Sequence, residues 1–118
     1  MRFSDRVKES SSTSGTGDLT LNGPSSNFTP FSFVFAIGEL FQYSAVDATN
    51  NTWEVGIGTL ISSTILRRLQ VLTSSSFGQL VSFAPVSKVI FNTISGYQVS
   101  RTQTLGEVIA ATTTGYMP

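Results

Sequence analysis

The sequence predicts an all-β fold, either a β-sandwich or a barrel-like antiparallel sheet of about seven short strands. Three observations carry that expectation. Apolar residues recur with a period of two along most of the chain, and Gly-, Pro- and Asn-containing turns interrupt them at spacings of roughly 8 to 12 residues. The 118 residues also include 18 Ser and 15 Thr. Thr suits a pleated strand and Ser suits a turn, so that enrichment fits short strands joined by frequent turns.

Residues 1–17 read as an N-terminal arm. Asp5-Arg6-Val7-Lys8-Glu9 leads into Ser-Ser-Ser-Thr-Ser-Gly-Thr-Gly, which has no apolar area to bury. Such a stretch is a disordered tail, an extended edge segment, or an arm ordered by a partner subunit.

Residues 18–95 are expected to form the β domain. Leu19 and Leu21 alternate with polar neighbours until Gly23-Pro24 stops the run. Phe31, Phe33, Phe35 and Ile37 then alternate with Ser32, Val34 and Ala36, and a strand would align all four on one face. Phe41, Tyr43 and Ala45 continue the pattern to Asp47-Ala48-Thr49-Asn50-Asn51, a hairpin signal because Asn tolerates positive φ and Asp bonds its own backbone. Trp53, Val55 and Ile57 follow in alternation with Glu54, Gly56 and Gly58, which places Trp53 in the core. Residues 65–72 form a further strand that sends Arg67 and Arg68 to opposite faces. Ser74-Ser75-Ser76-Phe77-Gly78 is a turn, and residues 80–83 and 89–94 supply two more strands. Residues 96–118 form a C-terminal extension, in which Thr104 and Glu107 have capping-box spacing and Leu105, Val108 and Ile109 make a short apolar face.

Composition restricts the function. Charged residues make up 12% of the chain, about half the usual share, and seven basic residues balance seven acidic ones. A nucleic-acid partner is not expected, because phosphate neutralisation calls for a basic surplus. So little charge leaves a lone monomer poorly protected against self-association and suits a subunit covered by neighbours. The absence of Cys and His removes disulfides, thiolate or imidazole zinc sites, and catalytic Cys or His. No apolar run approaches the ~18 residues of a membrane span, and the charged start does not lead into a secretory h-region. Synthesis in the cytoplasm is the expectation.

No catalytic constellation assembles. Asp47 and Glu54 flank one hairpin and are the only acid pair with a conceivable glycosidase geometry. A turn-capping Asp47 and a solvent-facing Glu54 explain the two residues without chemistry. Gly15-Thr16-Gly17 lacks the Lys-Ser/Thr of a phosphate loop. Gly56 and Gly58 on a strand permit a bulge or a close approach. The nine Phe read as packing surface. Phe77, between Ser76 and Gly78 at a loop tip, is the exception: it can plug a neighbouring subunit or fold back onto its own domain. The chain is not expected to be an enzyme, and no cofactor is expected.

Two stretches carry a resemblance. Asp5-Arg6-Val7-Lys8-Glu9 with Gly15-Thr16-Gly17, Leu19-Thr20-Leu21 and Gly23 is the first. The second runs from Tyr43 through Asn51-Thr52-Trp53-Glu54-Val55-Gly56-Ile57-Gly58-Thr59 to Leu66-Arg67-Arg68, Leu80-Val81-Ser82-Phe83 and Lys88-Val89-Ile90-Phe91. Over about residues 5 to 94 the chain resembles a small β-module of tailed-bacteriophage structural proteins. It departs from that module in the Phe-rich stretch of residues 28–40 and after Ile94. The resemblance implies a virion structural protein acting through subunit contacts: a capsid decoration or cement, or a tail or fibre component. Implied partners are other virion proteins of capsid, neck or tail and further copies of the chain, with a trimer expected by analogy and neither nucleic acid nor membrane involved. Candidate subunit contacts are Arg6, Val7, Phe77, Tyr97, Leu105 and Ile109. The competing reading is a carbohydrate-binding β-sandwich for a host surface glycan, with Trp53, Tyr43 and Tyr97 as its aromatics.

Overall fold

In a computed structural model, which describes residues 1–93, the chain forms six antiparallel strands and one short helix. The elements are β1 (Lys8–Ser11), β2 (Leu19–Thr20), α1 (Phe31–Val34), β3 (Leu40–Asp47), β4 (Thr52–Ser62), β5 (Ile65–Ser74) and β6 (Lys88–Asn92). The strands lie in one sheet in the order β1-β6-β3-β4-β5-β2. Its two edges nearly meet. Beyond β2 the chain runs on beside β1, where Asn22 N donates to Ser10 O at 2.8 Å, Ser10 N to Gly23 O at 3.1 Å and Ser25 N to Lys8 O at 3.1 Å. The all-β, barrel-like expectation holds, with the sheet curled on itself and its edge donors largely paired.

The curvature has a local cause. The β4–β5 pairing shifts register between Val55 and Gly56, between Ile57 and Gly58, and between Leu60 and Ser62. Each irregularity bends the ribbon and increases its twist. Gly56 and Gly58 also admit Tyr43, which lies opposite Gly56 in the β3–β4 register. A Cβ on Gly56 would sit 2.4 Å from Gln70 O and 2.9 Å from Tyr43 Oη. The close approach read from these glycines is present, and an aromatic ring of the same sheet makes it.

The core is filled by Phe31, Phe35 and Phe41 at one end, with Leu19, Tyr43, Leu60, Leu66 and Ile90 beyond them, all at most 2% exposed. Ring centroids of Phe35 and Phe41 are 4.6 Å apart and those of Phe31 and Phe41 are 5.2 Å apart, offset contacts that add to the area they bury.

Five sequence expectations are corrected. Residues 31–37 are not a strand. Pro30, with φ of −70°, precedes a helical turn closed by Phe35 N donating to Phe31 O at 2.9 Å. A Phe at every second position also places one four residues after another, so Phe31 and Phe35 share a helical face and are buried, while Phe33 projects into solvent at 81% exposure. Trp53 is not core. The inward residues of β4 are Glu54, Gly56 and Gly58, opposite Ala45, Tyr43 and Phe41, and Trp53 faces outward, 37% exposed. The same inversion removes the solvent-facing Glu54, which is fully buried.

Residues 80–83 are not a strand either. Val81 and Phe83 are buried, yet the segment's described backbone pairing is the isolated bridge between Phe83 and Gly15, outside the named strands. Finally, residues 1–17 are not an arm awaiting a partner. Lys8–Ser11 is an edge strand of the chain's own sheet, paired with β6, and Ser4 N donates to Asn92 Oδ1 at 2.7 Å. Arg2 grips Glu39 through Nε and Nη2 at 2.6 and 2.7 Å. The extended-edge alternative is the one realised.

Candidate interaction surface

The polar side chains inside the barrel bond one another. Arg68 and Glu54 meet in a two-point ion pair, Nη2 to Oε1 at 2.5 Å and Nε to Oε2 at 2.8 Å. Tyr43 Oη donates to Glu54 Oε2, and Val81 N donates to Oε1 at 2.9 Å. Arg68 gives its remaining hydrogens to the carbonyls of Gly15, Gly17 and Val81, which fastens the N-terminal segment and residues 80–83 to the barrel interior. Burial alone would raise the Glu54 carboxyl, but the bonds from Arg68, Tyr43 and Val81 outweigh it and hold the group below the usual range. Burial and the Glu54 carboxylate together push the Tyr43 phenol well up. A carboxylate held ionised and enclosed by four donors, with no open face, is a brace and offers no general base.

Two further buried ionisable groups are hydrogen-bonded to backbone. Lys88 Nζ donates to Thr13 O at 2.8 Å and Val86 O at 2.9 Å, and lies 5.4 Å from the centre of the Phe83 ring. Glu9 Oε2 accepts from Phe31 N at 2.8 Å, satisfying an orphan donor at the start of α1. Asp47 closes the β3–β4 turn, Oδ1 accepting from Thr49 N at 3.0 Å and Asn50 N at 3.2 Å, while Asn51 takes a φ of 54°. The turn-capping role read from the sequence is the observed one. Asp47 and Glu54 do not form a facing acid pair, since Asp47 serves the turn and Glu54 serves Arg68.

The outer surface contrasts with this self-contained interior. Phe77 is 99% exposed at the tip of the loop after β5. The loop is well formed: Ser74 Oγ accepts from Ser76 N at 3.2 Å and Gly78 N at 3.1 Å, and donates to Gln79 O at 2.7 Å. Phe77 has a φ of 56°, a left-handed conformation that costs a non-Gly residue on the order of 1 kcal/mol. Of the two alternatives for this ring, projection from the domain is the one observed. Trp53 sits at the same end of the barrel, where Ser75 N donates to Trp53 O and Trp53 N to Ser75 Oγ, each at 3.0 Å.

A second feature lies on the outer face of β1, β6 and β3. It is a groove of about 550 Å³ floored by Val46, Val89 and Phe91 and bordered by Phe28, Arg6 and Lys8. Arg6 and Lys8 both lie over the Phe28 ring, 4.3 and 4.8 Å from its centre. Asn92 lines the same groove, so the described chain ends at its rim.

The sequence-derived contact residues therefore separate. Phe77 is fully available. Arg6 is exposed and in a left-handed conformation with φ of 61°, its guanidinium on Phe28 and on Asn27 O. Val7 is 3% exposed and belongs to the core; it precedes an edge strand, where one face must turn inward. Tyr97, Leu105 and Ile109, with the capping-box pair Thr104 and Glu107, lie outside the described residues. Of the three aromatics considered for a glycan, Tyr43 is buried and bonded to Glu54, Trp53 is partly exposed, and Tyr97 lies outside the described residues. The groove was not legible in the sequence, because its walls come from four separate segments. Comparison with protein-family models, with curated proteins and with solved structures found no match.

Proposed function

We propose that this chain is a structural subunit of a bacteriophage particle, built for contacts with other subunits. One observation carries the subunit reading: Phe77 is held fully exposed, in a strained backbone conformation, by a hydrogen-bonded loop. An apolar ring held in water at a conformational cost supports a contact role, because backbone strain of that kind persists where the geometry is used. The exposed Phe33, Ile37 and Leu69 add apolar area elsewhere on the surface. The interior supports the same reading from the other side, since its ionisable groups are consumed in holding the barrel together.

The assignment to a phage particle rests on the sequence resemblance, and it implies other virion proteins and further copies of the chain as partners. The chain would be made in the host cytoplasm and end in the virion. Mass spectrometry of purified particles tests this directly: the chain should be present in stoichiometric amounts, and its absence removes the reading. Light scattering of the isolated protein should show an oligomer, with a trimer the expected form.

A further inference from the structure

Arg6 and Lys8 are the described side-chain cations that are neither buried nor paired with a carboxylate, although Arg6 also donates to Asn27 O from Nε and Nη2. Arg2, Arg67 and Arg68 are each paired with a carboxylate, at Glu39, Asp18 and Glu54. Lys88 is buried on two backbone carbonyls. Arg6 and Lys8 instead share the Phe28 ring and have no carboxylate within ion-pair reach among the described residues. Both border the apolar groove, with Asp5 beside them.

The strand register explains why the groove floor is apolar. On the outer face Phe91 of β6 stands between Lys8 of β1 and Ser44 of β3, and Val89 stands beside Val46, which in turn faces Trp53 of β4. Val46, Val89 and Phe91 are each only half-buried. A matching occupant carries one negative charge flanked by aliphatic side chains.

The remainder of the chain contains one such segment. Residues 94–118 hold a single acidic residue, Glu107, set in Leu105-Gly106-Glu107-Val108-Ile109. Thr93 follows directly on Asn92 at the groove rim. The twelve steps from Thr93 to Leu105 reach about 40 Å when extended, enough to carry the segment across to an adjoining molecule. We propose that the groove is the seat of residues 105–109 from a neighbouring copy, with Glu107 between Arg6 and Lys8 and the aliphatic side chains on Val46, Val89 and Phe91. The exchange between copies rests on the assembly reading above. Repeated from copy to copy, it gives a heterologous contact that closes into a ring when the rotation allows.

The Cys-free sequence makes a clean test. Thr49 lines the groove and is exposed, so full-length Thr49→Cys and Ala110→Cys proteins are mixed under mild oxidation. Leu69→Cys, exposed on β5 away from the groove, replaces Thr49→Cys as the control, and circular dichroism verifies that every variant is folded. The expected result is a disulfide-linked dimer of the two different variants, several-fold above the control. Adding Glu107→Lys to the Ala110→Cys chain should lower that yield, and adding Lys8→Glu to the Thr49→Cys chain should restore it. Yield equal to the control, a link forming only within single chains of the Thr49→Cys/Ala110→Cys double variant, or indifference to both charge changes overturns the proposal. Where the link fails to form, light scattering separates the two levels: an oligomer sinks the groove assignment alone, whereas a strict monomer sinks the assembly reading as well.

Discussion

Arg68 and Glu54 form a two-point ion pair inside the barrel, with both side chains at most 1% exposed. The pair joins β4 to β5, while Arg68 also reaches Gly15, Gly17 and Val81. A buried pair contributes modestly when complete, because desolvation offsets most of the attraction, but losing one partner leaves an uncompensated charge. Arg68→Met should therefore destabilise the protein by about 3–5 kcal/mol in urea unfolding. The double variant Arg68→Met/Glu54→Leu should recover part of that loss, because the stranded carboxylate has gone. A double variant as unstable as the sum of its single variants would show that the two groups do not act as a pair.

Gly56 gives the second prediction. Its missing side chain makes room for Gln70 O and for the Tyr43 hydroxyl that donates to Glu54. Gly56→Ala forces backbone against Cβ at 2.4 Å, so strand β5 must move. The expected cost is about 1–3 kcal/mol, the usual range for overpacking a core. Tyr43→Phe combined with Gly56→Ala should not rescue it, since the nearest clash is with the backbone. Full rescue would place the conflict at the hydroxyl instead.

These residues also show where the sequence was legible. Alternation located β3, β4 and β5, and the Asp47 turn was readable because Asp and Asn bond their own backbone. The face of β4 was not readable. Trp53, Val55 and Ile57 are the apolar set, and only the positions of Tyr43 and Arg68 make Glu54, Gly56 and Gly58 the better interior. Over residues 31–37, Phe at every second position satisfies a strand and also one helical turn, and Pro30 with the Glu9 cap decides between them. The burial of Val7 is not readable, because a short edge strand leaves no periodicity to detect. At Phe77 the sequence leaves two outcomes open, since Ser and Gly on both sides give a large ring no local neighbours, and projection is the one observed.

Glu9 sets a pH dependence. Burial raises its carboxyl above the ordinary value, and the bonds from Phe31 and Gly23 only partly counter this. The folded state thus keeps this proton to higher pH than the unfolded chain does. In the interval between the two pKa values the unfolded state binds fewer protons, so stability falls as pH rises through the raised one. Glu54 works the other way, its contribution being lost as pH falls through its lowered value. Glu9→Gln keeps an oxygen for Phe31 N and removes the titration. Measured as pH rises from the ordinary carboxylate value through the raised one, urea midpoints should show this variant gaining on the parent protein. A constant difference across that interval would mean the Glu9 carboxyl is not shifted in the folded protein.

Phe77 separates folding from assembly. Its left-handed backbone is costly for an aromatic residue and ordinary for Asn, whose short polar side chain tolerates that conformation. Ser74 Oγ bonds to Ser76 N, Gly78 N and Gln79 O hold the loop without help from the Phe77 side chain, which is 99% exposed. Phe77→Asn should therefore leave the loop intact and raise the unfolding free energy of the monomer by up to about 1 kcal/mol. The same substitution should weaken association, read as a lower oligomer fraction by light scattering at matched concentration. Strain kept at one exposed aromatic would then have a purpose only in the assembled state. A variant that is more stable and assembles as well as the parent would remove Phe77 from the contact surface and leave the outer groove as the remaining described candidate.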